Sequence, residues 1–387
     1  VRVELVYLNA GGGHRATAVA LQAVLAEQRP RWDVEAVNLF ELLDPQQRFR
    51  RLFGFAPEEA YNLCLRRGWT WGMEHELKLL QQLIRWRGPK IAQRLAAHWA
   101  RSRPDLVVSL IPNFNRWQHA AVKAALPGTP FVTLLTDMAD LSGGFWIEPF
   151  EGQHVVCGTE RALAQARAAG HPASHVHATS GMVLHPRFHR PVAEDRCAKK
   201  TALGFDPALP AGLVSFGAYG AQEMRVIAER LADRQALFIC GHNQRLARAI
   251  AAVPATAPRR ILGFTTELPE LMDACDYFIG KPGPGSIGEA LARGLPVIVS
   301  RNARTMPQER YNADWVLEQG VGQVVRHFRE VDQTVTQLLA RLPIYRRRLR
   351  RLDNHAVFQL PGILDTVLQA GSLRSTAPLH PTEPALA

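Results

Sequence analysis

Cysteine is scarce in this sequence of 387 residues. There are five, Cys64, Cys157, Cys197, Cys240 and Cys275, odd in number and without a CxxC pair. That pattern excludes a zinc knuckle or dithiol redox centre and reads as reduced thiols. Lysine is rarer than its charge would suggest: only six of the 46 Lys plus Arg residues are lysines. No apolar run approaches the roughly 20 residues of a membrane-spanning helix. The chain opens on a strand-like VRVELVYLNA, so neither a signal peptide nor an anchor is expected. With 47% hydrophobic and 21% charged residues, disordered and fibrous classes are excluded as well.

What remains is long enough for two cores rather than one. The formal charge is +11, carried mostly by arginine. The planar guanidinium fork grips two oxygens of a phosphate or carboxylate together. An anionic partner is therefore required: nucleic acid, a membrane surface or a phosphorylated substrate.

The first segment, 1–9, is a short apolar run ending in Gly11, Gly12 and Gly13, followed by a helical pattern from His14 to about residue 27. Further strands are predicted at 34–39, 106–111, 131–136 and 154–157, separated by helical stretches. Alternation of this kind predicts a parallel α/β sheet. After Gly181 the pattern loosens, and a new strand and glycine turn begin at 212–220, with further strands at 236–240, 260–263, 277–279 and 295–300. The sequence thus predicts two Rossmann-like α/β domains, 1–185 and 186–371, and a disordered tail, 372–387, rich in proline.

The most specific stretch runs from Gly280 through Lys281, Pro282, Gly283, Pro284, Gly285 and Ser286 to Glu289. It reads as strand, glycine loop and helix start, where bare backbone N–H groups receive a phosphate. Glu289, one turn inside, is suited to accept hydrogen bonds from a ribose diol. An ordinary capped turn would look the same for a lone loop. Two further glycine turns follow strands of the same half, one with Gly217, Tyr219 and Gly220 and one with Gly241; Phe264 follows a fourth strand and can cover a base. All lie at carboxyl ends of strands, where open α/β sheets bind ligands. In the first half, Gly12 and Gly13 deliver His14 to a helix N-terminus, whose dipole disfavours the imidazolium and leaves a neutral ring available as general base. Asp137 ends another strand and can orient that base or simply cap a turn. The glycine run lacks GxGxxG spacing and Asn38 stands where a ribose-binding acid is expected, which argues against a dinucleotide dehydrogenase.

Between residues 77 and 104 there are seven basic residues and no acid, interleaved with Leu79, Leu80, Leu83, Ile84, Trp86 and Trp99; Trp69 and Trp71 lie just before. Arg85, Trp86, Arg87 and Lys90 are the expected contacts with an anionic membrane; a solvated helix face is the plainer alternative. A second basic run, with six arginines in 341–351, is either a solvated helix or an addition to that face. No aromatic-studded sheet or reader motif accompanies the charge, so nucleic acid is not the expected partner.

Residues 9–15 (NAGGGHR), 131–137 (FVTLLTD) and 281–296 (KPGPGSIGEALARGLP) resemble the monogalactosyldiacylglycerol synthase family, inverting glycosyltransferases of the GT-B fold related to the enzyme that makes lipid II. The resemblance runs from about residue 5 to 320. It implies a UDP-sugar held by the second domain, diacylglycerol or a related lipid held by the first at the inner face of a cell membrane, and transfer of galactose or glucose in the cleft. By motif position, Gly283, Gly285 and Ser286 would contact the diphosphate, Glu289 the ribose, Phe264 the uracil, and Gln308 and Glu309 the sugar hydroxyls, with His14 facing the acceptor hydroxyl. No cofactor or metal is expected, since no DxD-type pair is suitably placed. This chain departs from relatives at Pro112-Asn113, at His185 before Pro186, and at Gly217-Ala218-Tyr219-Gly220, which bears on acceptor and sugar identity more than on fold.

Overall fold

A computed structural model describes residues 1–9, 12–46, 48–53, 58–59, 73–141, 144–191 and 195–375. The strands of the first half are β1 (Arg2–Tyr7), β2 (Asp33–Asn38), β3 (Leu106–Ser109), β4 (Phe131–Leu134), β5 (Gln153–Cys157) and β6 (Val176–Ala178). Those of the second are β7 (Ala211–Ser215), β8 (Gln235–Ile239), β9 (Arg259–Leu262), β10 (Tyr277–Gly280), β11 (Val297–Ser300) and β12 (Gly322–Val325). Each set forms a parallel sheet, ordered β2-β1-β3-β4-β5-β6 and β12-β11-β10-β7-β8-β9. The predicted α/β class is correct. β6 and β12, one at each sheet edge, were not legible beforehand; the burial of β6 is only partial.

Central strands are buried on both faces, which is why β3 and β4 read as unbroken LVVS and FVTL instead of alternating. One face of the first sheet packs Val3, Leu5 and Val108 against Leu21 and Leu25 of the helix Gly13–Gln28; the other packs Val6 and Val107 against Leu95 and Trp99. The second sheet repeats the plan, with Leu213 and Phe278 facing one core and Val214 and Phe238 the other.

In each sheet the strand order reverses beside the first strand of the unit, between β1 and β3 and between β7 and β10. Such reversal points open a crevice at the carboxyl ends of the strands. The loops around His14 and around Gly283 flank these two crevices.

The division of the chain differs from the expected 186–371 in one respect. The helix Ala356–Ser375 returns to the first half, where Val357, Leu360, Leu364 and Val367 join Val3 and Leu5, and Arg29 Nε donates to Asp365 at 3.0 Å. It also runs past residue 372, where the tail was expected; residues 376–387 lie outside the described part. The chain crosses between halves twice, and the crossings hold each other: Asn354 Nδ2 donates to the Met182 carbonyl at 2.9 Å and the His355 amide to Ser180 Oγ at 2.7 Å.

Candidate active site

His14 enters the cleft because Gly12 adopts φ +91°, a left-handed turn open to glycine, at the start of its helix. Its Nδ1 lies 3.0 Å from Thr136 Oγ1, and its ring is 5.9 Å from that of Trp146. Desolvation lowers its pKa to about 4, opposed by the Leu110 carbonyl, so the ring is neutral near pH 7.

The partner expected to orient His14 was Asp137, but the hydrogen bond is made by Thr136, one residue earlier. Asp137 is buried and accepts from Trp146 Nε1 at 2.8 Å, beneath the ring that neighbours His14. Burial raises its pKa to about 7; the Trp146 hydrogen bond lowers it, Glu309 raises it and Lys281 lowers it. Those last two residues belong to the second half, so Asp137 marks where the halves converge. Asp140 secures the loop by accepting from the amides of Trp146 at 2.6 Å and Ile147 at 3.4 Å. Thr136, Trp146 and Asp140 were not singled out in the sequence; a tryptophan soon after the strand-ending Thr136-Asp137 was the available signal.

Across the cleft, the helix Pro284–Ala292 starts with proline at its first position, no acidic residue in its first turn and no side-chain cap. The amides of Gly285 and Ser286 thus have no intrahelical acceptor and point out from the helix start. A Cβ on Gly285 would meet nothing within 4 Å, so the approach to these amides is clear. Lys281 folds over Gly283 and pairs with Glu309 at 2.9 Å. Asn312 Nδ2 fixes the loop by donating to the Pro282 carbonyl at 2.8 Å. Glu289 is held near pKa 7 by burial, with Arg187 opposing the rise.

Gln308 and Glu309 lie on the short turn Pro307–Glu309; Glu309 is buried with Oε1 engaged by Lys281, and Gln308 Nε2 sits 3.7 Å from Met306 Sδ. Gly217 and Gly220 take φ +79° and +60° in the β7 turn, and Gly241 takes φ +57° after β8. Tyr219, His242 and Phe264 form an aromatic group at these strand ends. His242 stacks on Phe264 with centroids 4.6 Å apart and 11° between planes, and lies 6.1 Å from Tyr219. Phe264 is 60% exposed, an unusual state for a large apolar ring and suited to receiving a flat partner. His242 was not among the expected residues.

Arg85, Trp86, Arg87 and Lys90 all lie exposed on the helix Met73–Ser102, beside exposed Leu79, Leu80 and Leu83. Trp86 is 71% exposed, with the Arg87 guanidinium 4.5 Å over its ring. Two residues of the expected face are core instead: Ile84 is buried, and Trp99 donates from Nε1 to Glu4 at 2.9 Å inside the domain. Trp69 and Trp71 lie outside the described residues. The second basic run is partly structural, because Arg346 pairs with Asp276 at 2.7 Å and Arg348 donates to the Gly320 carbonyl at 3.0 Å.

Among the described residues no group of three or more His, Cys, Asp or Glu is arranged to hold a metal ion, and no helix is long and apolar enough to cross a membrane.

Two facing Rossmann-like units, with an uncapped glycine-loop helix on one wall and a neutral histidine on the other, make up the GT-B fold. Residues 221–347 match the glycosyltransferase family 28 C-terminal domain. Over most of its length the chain is similar to monogalactosyldiacylglycerol synthases. The spinach (Spinacia oleracea) chloroplastic enzyme is 29% identical over 357 residues, 87% of this chain and 66% of that one. The chain thus spans about two thirds of that relative's length. Among solved structures, MurG of Acinetobacter baumannii aligns over 95% of this chain and all of its own at TM-score 0.60 and 14% identity. A UDP-GlcNAc 2-epimerase from Neisseria meningitidis, bound to UDP-GlcNAc, aligns over 96% of this chain and all of its own at TM-score 0.58 and 13% identity.

Proposed function

We propose that this protein transfers a hexose, galactose or glucose, from a UDP-sugar to the hydroxyl of diacylglycerol or a related lipid, with inversion at the anomeric carbon. The observation that carries the reading is the opposition of His14 to the open helix start at Gly285 and Ser286. Support for the substrates comes from the relatives' names and from the UDP-GlcNAc bound by a protein of the same fold.

In this reading the diphosphate lies on the Gly285 and Ser286 amides, the ribose diol donates to Glu289, and the uracil stacks on exposed Phe264. His14 takes the proton of the acceptor hydroxyl as its oxygen bonds to the anomeric carbon and the bond from that carbon to the phosphate oxygen breaks. The negative charge of departing UDP raises the basicity of His14 toward neutrality and is stabilised by the helix-start amides and Lys281. No cofactor is required. The basic face with Trp86 lies against anionic lipid, attaching the protein peripherally at the inner face of a cell membrane.

The test is incubation of the purified protein with radiolabelled UDP-galactose, UDP-glucose or UDP-N-acetylglucosamine and liposomes containing diacylglycerol and anionic lipid. A lipid-linked hexose with inverted anomeric configuration is expected. Label in no lipid with any of the sugars, or salt-sensitive binding of nucleic acid without binding of UDP, overturns the reading.

A further inference from the structure

At the hinge end of the cleft lies a cavity of about 340 Å³ that neither His14 nor the Gly280 to Ser286 loop lines. Its walls are built from both chain crossings, residues 180–182, 188–191 and 352–355, and from the far end of the Pro284–Ala292 helix. Most of the lining is apolar: Met138, Met182, Phe188, Leu291 and Trp315. The volume falls in the range of small-molecule sites.

One end is polar, and its groups are unequally satisfied. Ser180 accepts from the His355 amide, Asn354 donates to Met182, His355 pairs with Asp353 at 2.6 Å, and Arg293 is clamped by Asp273 at 2.6 and 2.7 Å. His189 is the exception: its Nε2 is buried and has no partner among the described residues. His355, with its ring 5.9 Å away, and Arg293 both act electrostatically against an imidazolium at His189, in addition to its burial. The lining also carries two guanidinium groups, Arg293 and the exposed Arg190, while its one carboxylate, Asp353, is paired with His355, so the unengaged His189 nitrogen and Arg190 are the groups left to meet an anion.

We propose that this cavity binds a small anionic amphiphile, a carboxylate with an apolar body, and that its occupancy fixes the angle between the two halves. The carboxylate accepts from His189 and meets Arg190, while the chain lies on the methionines, Phe188 and Trp315. At roughly 30 Å³ per water-sized unit, the volume holds about eleven non-hydrogen atoms, close to the twelve of decanoate. Because the walls belong to both halves and to the helix that presents Gly285, filling the cavity is coupled to donor binding, and the coupling is reciprocal.

Calorimetry on the full chain with sodium decanoate tests this. Wild type is expected to bind it, and Ala292→Trp, which fills the mouth, and His189→Leu, which removes the polar partner, each to weaken it at least ~10-fold. Circular dichroism identifies a variant that fails to fold, leaving the other to carry the test. Saturating decanoate is expected to change UDP affinity, and saturating UDP to change decanoate affinity by the same factor. No binding to wild type, or equal binding to wild type and folded variants as for a ligand in the acceptor cleft, overturns the site; UDP affinity indifferent to decanoate overturns the coupling.

Discussion

The two halves share a sheet plan yet build their walls of the cleft from different material. In the first, the wall is made of side chains: His14 on Thr136, its ring beside Trp146, and Trp146 on Asp137. In the second it is made largely of backbone: an uncapped helix start, a bare Gly285 and glycine turns with positive φ. A diphosphate needs amides at fixed positions, which glycine loops provide on almost any sequence. Proton transfer needs a titratable group in a tuned environment, which only particular side chains provide.

The largest expected break in this contrast is His14→Ala. Turnover should drop ~10² to 10⁴-fold, the usual worth of a general base, while UDP affinity by calorimetry stays put. A purified variant with near-wild-type turnover would remove His14 from the role.

Two glycine variants separate binding surface from scaffold. Gly285→Val has room for its side chain in the free protein, so melting should be unchanged while UDP binding weakens ~10-fold or more. In Gly241→Ala the new Cβ would lie 2.0 Å from the Ala218 carbonyl oxygen on a backbone with φ +57°, and a loss of about 1–3 kcal/mol in urea unfolding is expected. Should Gly285→Val bind UDP normally, the helix start is not the phosphate site.

Glu289 adds a pH signature to the backbone wall. With its pKa near 7, it is protonated as pH falls, and a carboxylic acid is a poorer acceptor for a diol than a carboxylate. UDP affinity should weaken several-fold from pH 8 to 6 in wild type more than in Glu289→Gln; parallel profiles would dismiss the ribose contact.

Asp137→Asn gives a smaller, purely structural readout. The folded pKa near 7 lies above the unfolded value, so ionised Asp137 costs stability that grows above about pH 4 and is fully present above pH 7. The variant should melt a few degrees higher than wild type at pH 8, with the gain shrinking toward pH 4. The smallest change is expected for Trp86→Ala: weaker sedimentation with anionic liposomes, by several-fold, and an unaltered melting temperature. Equal sedimentation would take Trp86 off the membrane face.

The backbone wall was also the more legible one. Glycine and proline at fixed spacing announce a strand, a turn and a helix start in the string itself, and the loop from Gly280 to Ser286 folds as read. The side-chain wall depends on contacts between residues 14, 136, 137 and 146, which no local pattern reveals; hence the sequence offered Asp137, as orienter of the base or as a turn cap, where Thr136 makes the contact with His14. The same reason explains Trp99, whose basic neighbourhood suggests a surface but whose indole meets Glu4, 95 residues away. The edge strands β6 and β12 were missed because both are short and only partly buried, with no apolar run to mark them. Fold likeness alone does not fix the chemistry, since an epimerase shares the architecture; the match of residues 221–347 to the glycosyltransferase family 28 C-terminal domain is what favours sugar transfer.

The return of the Ala356–Ser375 helix to the first sheet has a consequence for how the protein is made. Val3 and Leu5 are synthesised before the second unit, yet the residues that cover them, from Val357 to Val367, are synthesised after the whole of it. The earlier half therefore waits, with part of its core open, until the later half has been translated. Contacts of such sequence separation slow folding, and the uncovered apolar face invites aggregation in the interval. A cut between the units at residue 190 would thus yield two incomplete pieces, and expression of residues 1–190 alone should depend on supplying 356–375 as a separate peptide or fusion.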